Sequence, residues 1–82
     1  MVIEGTIVTK EEGLSAVFEG TEQPYVRCRI ARPDHPEIQS EARIVGLDRI
    51  DAPIGGVVKL EVTRTITDRR AGVVRFDCKL LT

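Results

Sequence analysis

Tryptophan is absent, and one tyrosine and two phenylalanines are all the aromatic residues in 82 positions. A core made from this chain must be aliphatic, and the few rings become worth locating one by one. Histidine occurs once, at His35, with Asp34 beside it but no serine or cysteine nucleophile in the same motif. Glycine-rich phosphate loops, GxSxG, HExxH and metal-ligand spacings are all missing. No enzyme, metal or organic cofactor is therefore expected, and no small-molecule substrate. No apolar run approaches the roughly 20 residues needed to cross a bilayer, and no basic-then-apolar leader opens the chain. A cytoplasmic protein without a membrane partner is the expectation.

Charge of one sign is lacking too. The formal net charge is −1, which gives no overall attraction to nucleic acid or membrane. Its distribution is uneven. Residues 1–24 carry Lys10 against Glu4, Glu11, Glu12, Glu19 and Glu22, while the remaining chain has a basic excess, mostly arginine. Arginine forks onto phosphate and stacks on bases, so this bias favours a nucleic-acid or protein interface. The two cysteines, Cys28 and Cys78, fall on inward-alternating positions. They read as small buried hydrophobes of a reducing compartment, with a disulfide between neighbouring strands as the alternative.

What is present is alternation. Val57–Ile66 and Val73–Leu81 repeat at period two, with Val58, Leu60 and Val62, then Val74, Phe76, Cys78 and Leu80, on one side. Lys59, Glu61, Thr63, Arg75, Asp77 and Lys79 take the other side. Strict alternation of this kind marks half-buried strands. The stretch from Thr67 to Gly72 is the loop of a long antiparallel hairpin with an arginine-bearing tip, Arg69 and Arg70. Tyr25–Arg32 is a further strand, with Val26, Cys28 and Ile30 facing one way and Tyr25, Arg27, Arg29 and Ala31 the other. Glu37–Val45 alternates Ile38, Ser40, Ala42 and Ile44 against Glu37, Gln39, Glu41, Arg43 and Val45. Pro33–Pro36 is a turn, since two prolines cannot sit in a central ladder.

The first quarter is less determinate. Met1–Thr9 reads as a strand with Gly5 at a bend or bulge, Lys10–Gly13 as a polar turn, Leu14–Phe18 as a short strand and Glu19–Pro24 as another turn. Two pairings are open here: residues 1–9 with 14–18, or residues 14–30 as a protruding ribbon of two arms. Gly46–Ile50 is either one helical turn or an irregular connection. Five or six strands, almost no helix and turns every eight to twelve residues predict one domain over residues 1–82. The expected fold is all-β: a small five-stranded antiparallel barrel, OB-fold-like, ending in a long β-hairpin.

Tyr25 beside Arg27 and Arg29 on one exposed strand face is an arrangement suited to single-stranded nucleic acid, with bases on the ring and phosphates on the guanidiniums. Arg43, Arg69, Arg70, Arg75 and Lys79 complete the candidate binding set. The order of features also resembles the single-stranded-DNA-binding proteins of filamentous phages over roughly residues 20–81. The resemblance is carried by Glu22-Gln23-Pro24-Tyr25, by Asp34-His35-Pro36-Glu37-Ile38-Gln39, by Ala52-Pro53-Ile54-Gly55-Gly56, and by Val73-Val74-Arg75-Phe76-Asp77. It implies an OB-like barrel acting as a symmetric homodimer that coats single strands, with Tyr25 as the stacking aromatic and Arg69–Arg70 at a tip near the dimer axis. Two departures stand out: Ala71 occupies the place of a tip aromatic, and the ribbon is acidic.

The expected function is sequence-tolerant binding of single-stranded DNA, with RNA as a possible substitute. A homodimer is expected also because Val57, Val73 and Leu81 leave apolar side chains on the outward face. The alternative is a homodimeric β-barrel interaction module without nucleic acid, motivated by the acidic first quarter and the near-neutral total. A contiguous positive groove would favour the first reading, and interleaved charges the second.

Overall fold

The computed structural model describes residues 1–70 and 72–81, and all of Val73 but its side chain. Ala71 therefore lies outside the described residues, as does the side chain of Val73, expected from the sequence to face outward. Five strands follow in order: β1 (Val2–Phe18), β2 (Thr21–Ala31), β3 (Gln39–Val45), β4 (Val57–Asp68) and β5 (Val73–Leu80). They close into one barrel in the order β1-β2-β3-β5-β4. The meander β1-β2-β3 with β4 returned beside β1 is a Greek key, and β5 fills the gap, as in an OB-like barrel. Four of the five pairings are antiparallel as expected; the fifth, β3 with β5, is parallel. That pair closes the ring, and a parallel neighbour follows because β4 must run back past β1 before β5 can reach β3. No helix is present among the described residues, and none is long and apolar enough to cross a membrane.

The lumen is aliphatic, as the shortage of rings requires. Ile7, Val26, Cys28, Ala42, Ile44, Val58, Leu60 and Cys78 are almost wholly shielded from solvent, and Ile50 plugs the barrel from the β3–β4 connection. Burying side chains of this size is worth about 1.5–3 kcal/mol each. Cys28 pairs with Ala42 and Cys78 with Ile44, so β3 lies between the two cysteines and both are free thiols. The neighbouring-strand disulfide is excluded by that register.

The turn expected at Lys10–Gly13 does not exist. β1 runs through it as a single strand of 17 residues, pairing first with the end of β2 and then with its start. Two register shifts, at Ile7/Thr9 and Glu11/Leu14, absorb one extra residue each. Gly13, with φ 74°, provides the left-handed residue at the second bulge. The partners that hold this stretch extended come from the β3–β4 connection. Lys10 Nζ donates to the carbonyls of Ile50 and Ala52, Ile50 N donates to Glu12 Oε2, and Gly13 N donates to the Asp48 carbonyl. That connection is irregular. Gly5 is no bulge either: it pairs with Val58 inside the ladder, where a Cβ would come within 2.9 Å of Ile30 Cβ.

Of the two pairings left open, the ribbon of residues 14–30 is the one formed, and its turn is only Glu19–Gly20. The closing hairpin is present with strands reaching Asp68 and resuming at Val73. A bulge at Val62/Arg64 gives β4 one extra residue; on β5, Val74 is exposed, and Asp77 keeps the outer face but is only 5% exposed, engaged by the Arg43 guanidinium. Two other expected orientations differ. Ala31 is buried, and Ile38 is exposed because β3 begins at Gln39, two residues after the expected Glu37.

Candidate nucleic-acid interface

Register assembles the candidate residues in rows across the outside of the barrel. One row reads Glu11, Arg27, Arg43, Asp77, Arg64 across β1, β2, β3, β5 and β4. The next reads Thr9, Arg29, Glu41, Arg75. Side chains two apart on a strand share a face, so Tyr25, Arg27 and Arg29 do lie together, opposite Val45, Arg43 and Glu41. The sequence could pick out the cations of each strand but not the carboxylates that the neighbouring strands set beside them.

Those carboxylates are engaged. Arg27 Nη2 donates to Glu11 Oε2 at 3.0 Å, and its Nη1 lies 3.7 Å from Glu41 Oε1. The hydrogen bond and charge of Glu11 raise the Arg27 pKa above its ordinary value, so this guanidinium stays charged at any accessible pH. Arg75 Nε lies 3.0 Å from Glu41 Oε2. Glu41 thus bridges two arginines, and Glu11-Arg27-Glu41-Arg75 forms a chain of alternating charge. Arg43 forks onto the buried Asp77, Nε to Oδ1 at 2.8 Å and Nη2 to Oδ2 at 3.1 Å.

The ribbon tip folds over part of this face. Phe18, nearly buried, meets Tyr25 edge-to-face at 5.4 Å, and the Arg43 guanidinium sits 4.8 Å over the Phe18 ring and 6.0 Å from Tyr25. Both aromatics and Arg43 therefore form one stacked unit anchored by Asp77. Beside it opens a groove of about 390 Å³ between the ribbon and the closing hairpin. Its walls include Val17, Phe18, Gln23, Arg43, Arg64 and Lys79.

Among the described residues, Arg29, Arg64 and Lys79 make no ion pair, and all three are exposed. Arg69 and Arg70 are exposed at the β4–β5 tip, five and six residues beyond Arg64 of the Arg64–Asp77 pair, or roughly 16–20 Å of extended chain. They extend the hairpin's positive side without joining the groove. Phe18, Arg64, Glu41 and Asp77 are site residues that the strand-by-strand reading missed. Only for Arg64 was there a signal, an arginine within an alternating strand. No family model, curated protein or solved structure matches this chain.

Proposed function

We propose that the barrel binds single-stranded nucleic acid, with DNA as the favoured ligand, in a sequence-tolerant and non-catalytic manner. The carrying observation is the groove that sets the Tyr25–Phe18–Arg43 stack beside the unpaired cations Arg64 and Lys79. Bases stack on an aromatic face or on a guanidinium plane whatever their identity, and cations along the groove hold the backbone. The outer face of β2 and β3 between the β1–β2 and β4–β5 loops is the surface that OB-folds use for oligonucleotides. Only a few cations are free, so the affinity is modest.

The test is fluorescence anisotropy with oligo-dT, duplex DNA and an RNA of equal length, across a salt series. Single-strand binding at low salt that weakens as salt rises is expected, and no binding at low salt overturns the reading. Tyr25→Ala, checked for folding by circular dichroism, should weaken binding by about 1–3 kcal/mol per stacked base without changing the salt slope. Arg64→Ala with Lys79→Ala should flatten that slope by about 1.4, two phosphate contacts at roughly 0.7 each.

A second reading, a homodimeric interaction module without nucleic acid, is favoured by one observation: the Glu11-Arg27-Glu41-Arg75 chain interleaves charge where a polyanion binder would concentrate it. Absence of binding to all three nucleic acids, together with a dimeric mass, would select it.

A further inference from the structure

We propose that Glu41 is an internal stand-in for a backbone phosphate, holding Arg27 and Arg75 until a bound strand displaces it, and so sets both the affinity and the salt dependence of the face. The inference rests on the single-strand-binding reading and deepens it. Glu41 sits on the central strand of the face and uses its two carboxylate oxygens on different arginines, Oε1 toward Arg27 and Oε2 toward Arg75. Its side chain is 24% exposed and those of Arg27 and Arg75 are 42% and 48% exposed. The arginines are thus within reach of a ligand, while the carboxylate lies between and beneath them. Arg29, directly opposite Glu41 in the β2–β3 ladder, remains unpaired beside them.

A carboxylate and a phosphate present the same chemistry to a guanidinium: a planar fork of donors onto anionic oxygens. A strand crossing the face can gain Arg27 and Arg75 only by breaking their contacts with Glu41, and it must then lie over an uncompensated carboxylate. Two cations that sequence counting assigns to the ligand are therefore withheld. Counterions released per bound strand fall accordingly, since arginines already neutralised by the protein do not exchange condensed ions for it. Glu11 acts on Arg27 in the same way, but from a more exposed position, with its side chain 63% exposed.

The experiment compares the parent chain with Glu41→Gln, Glu11→Gln and Glu37→Gln by oligo-dT anisotropy from low to moderate salt. Glu37 lies on the exposed β2–β3 loop, where its polar contact among the described residues is with His35, so Glu37→Gln removes an equal charge away from the face. Glu41→Gln should bind roughly 2- to 30-fold more tightly at low salt. Its salt slope should be steeper by about 0.7, for the contact of Arg75 released outright, since Arg27 keeps its 3.0 Å hydrogen bond to Glu11. Glu11→Gln, which leaves Arg27 only its 3.7 Å contact with Glu41, should steepen the slope by no more than that, and it keeps the proposal testable if Glu41→Gln does not fold. Glu37→Gln should match the parent. Binding by Glu41→Gln alone would overturn the single-strand reading of the parent chain and, with it, displacement of Glu41 by a bound strand. If the parent binds but Glu41→Gln binds equally or more weakly, or Glu37→Gln gains as much, the inference falls and the binding reading stands. If none of the four binds, both fall.

Discussion

Asp77 illustrates how a single residue can reverse its expected role. By alternation it belongs to the solvated face of the last strand, yet it is buried and holds Arg43 in a two-point contact under the Phe18 ring. Asp77→Asn leaves a half-buried guanidinium without its counter-charge, so unfolding free energy should drop by about 1–3 kcal/mol in urea titration. Single-strand binding should weaken too, because the Arg43 plane loses its anchor. The cysteines make a second residue-scale prediction. Burial pushes the Cys28 thiol up to about 11, and burial with the nearby Asp77 charge pushes Cys78 up to about 12. Both thiols are therefore neutral when folded but ionise near 9 when the chain unfolds. Their contribution to stability is complete below pH 9 and is lost as pH rises through about 11–12. Denaturant midpoints should fall over that window, and a thiol reagent at neutral pH should label neither cysteine until the barrel opens.

At the scale of elements, β1 is the strand that makes the barrel possible. It pairs with β2 along the ribbon and with β4 at its start, and its two bulges let one strand serve both. The ribbon then turns through Glu19 and Gly20, with φ of 52° and 80° and Phe18 paired to Thr21 across them. Positive φ at both central residues is what a two-residue hairpin loop of right-handed twist demands. Glutamate is poorly suited to it, whereas asparagine tolerates the left-handed region. Glu19→Asn should stabilise the chain by about 0.5–1 kcal/mol, read as a higher urea midpoint with an unchanged slope. An unchanged or lower midpoint would show that the carboxylate has another task at the tip.

For the whole molecule, the decisive quantity is how surface is shared between charge and apolar groups. Val2, Val57, Ile54 and Leu81 are each about half exposed or more, on a barrel of 82 residues. Val57 and Leu81 are two of the three residues that motivated a dimer from sequence, and both do point outward. A small domain with this much exposed aliphatic surface is expected to bury it against a second copy. Light scattering after size exclusion should give twice the 9.1 kDa chain mass. A clean monomer at high micromolar concentration would overturn the dimer. The charge on this surface is arranged to be nearly self-satisfied, so any polyanion binding should fall less steeply with salt than on a basic groove of the same area.

Period-two alternation was enough to determine the all-β class, the closing hairpin, the β2 and β3 strands and the aliphatic lumen, because one-sided burial needs no knowledge of neighbours. The same local signal placed Tyr25, Arg27 and Arg29 on one face of β2, while Arg43 joins them only through the β2–β3 register. It misread Lys10–Gly13, a polar run whose backbone and side chains are satisfied by Ile50, Ala52 and Asp48, some forty residues away in a loop that no local pattern describes. The parallel β3–β5 pairing and the burial of Asp77 against Arg43 likewise depend on ring closure and on register between strands. Above all, the pairing of Arg27 and Arg75 with Glu41, and of Arg43 with Asp77, is a matter of register between strands distant in the chain. Sequence lists the charges; only the closed barrel decides which of them cancel.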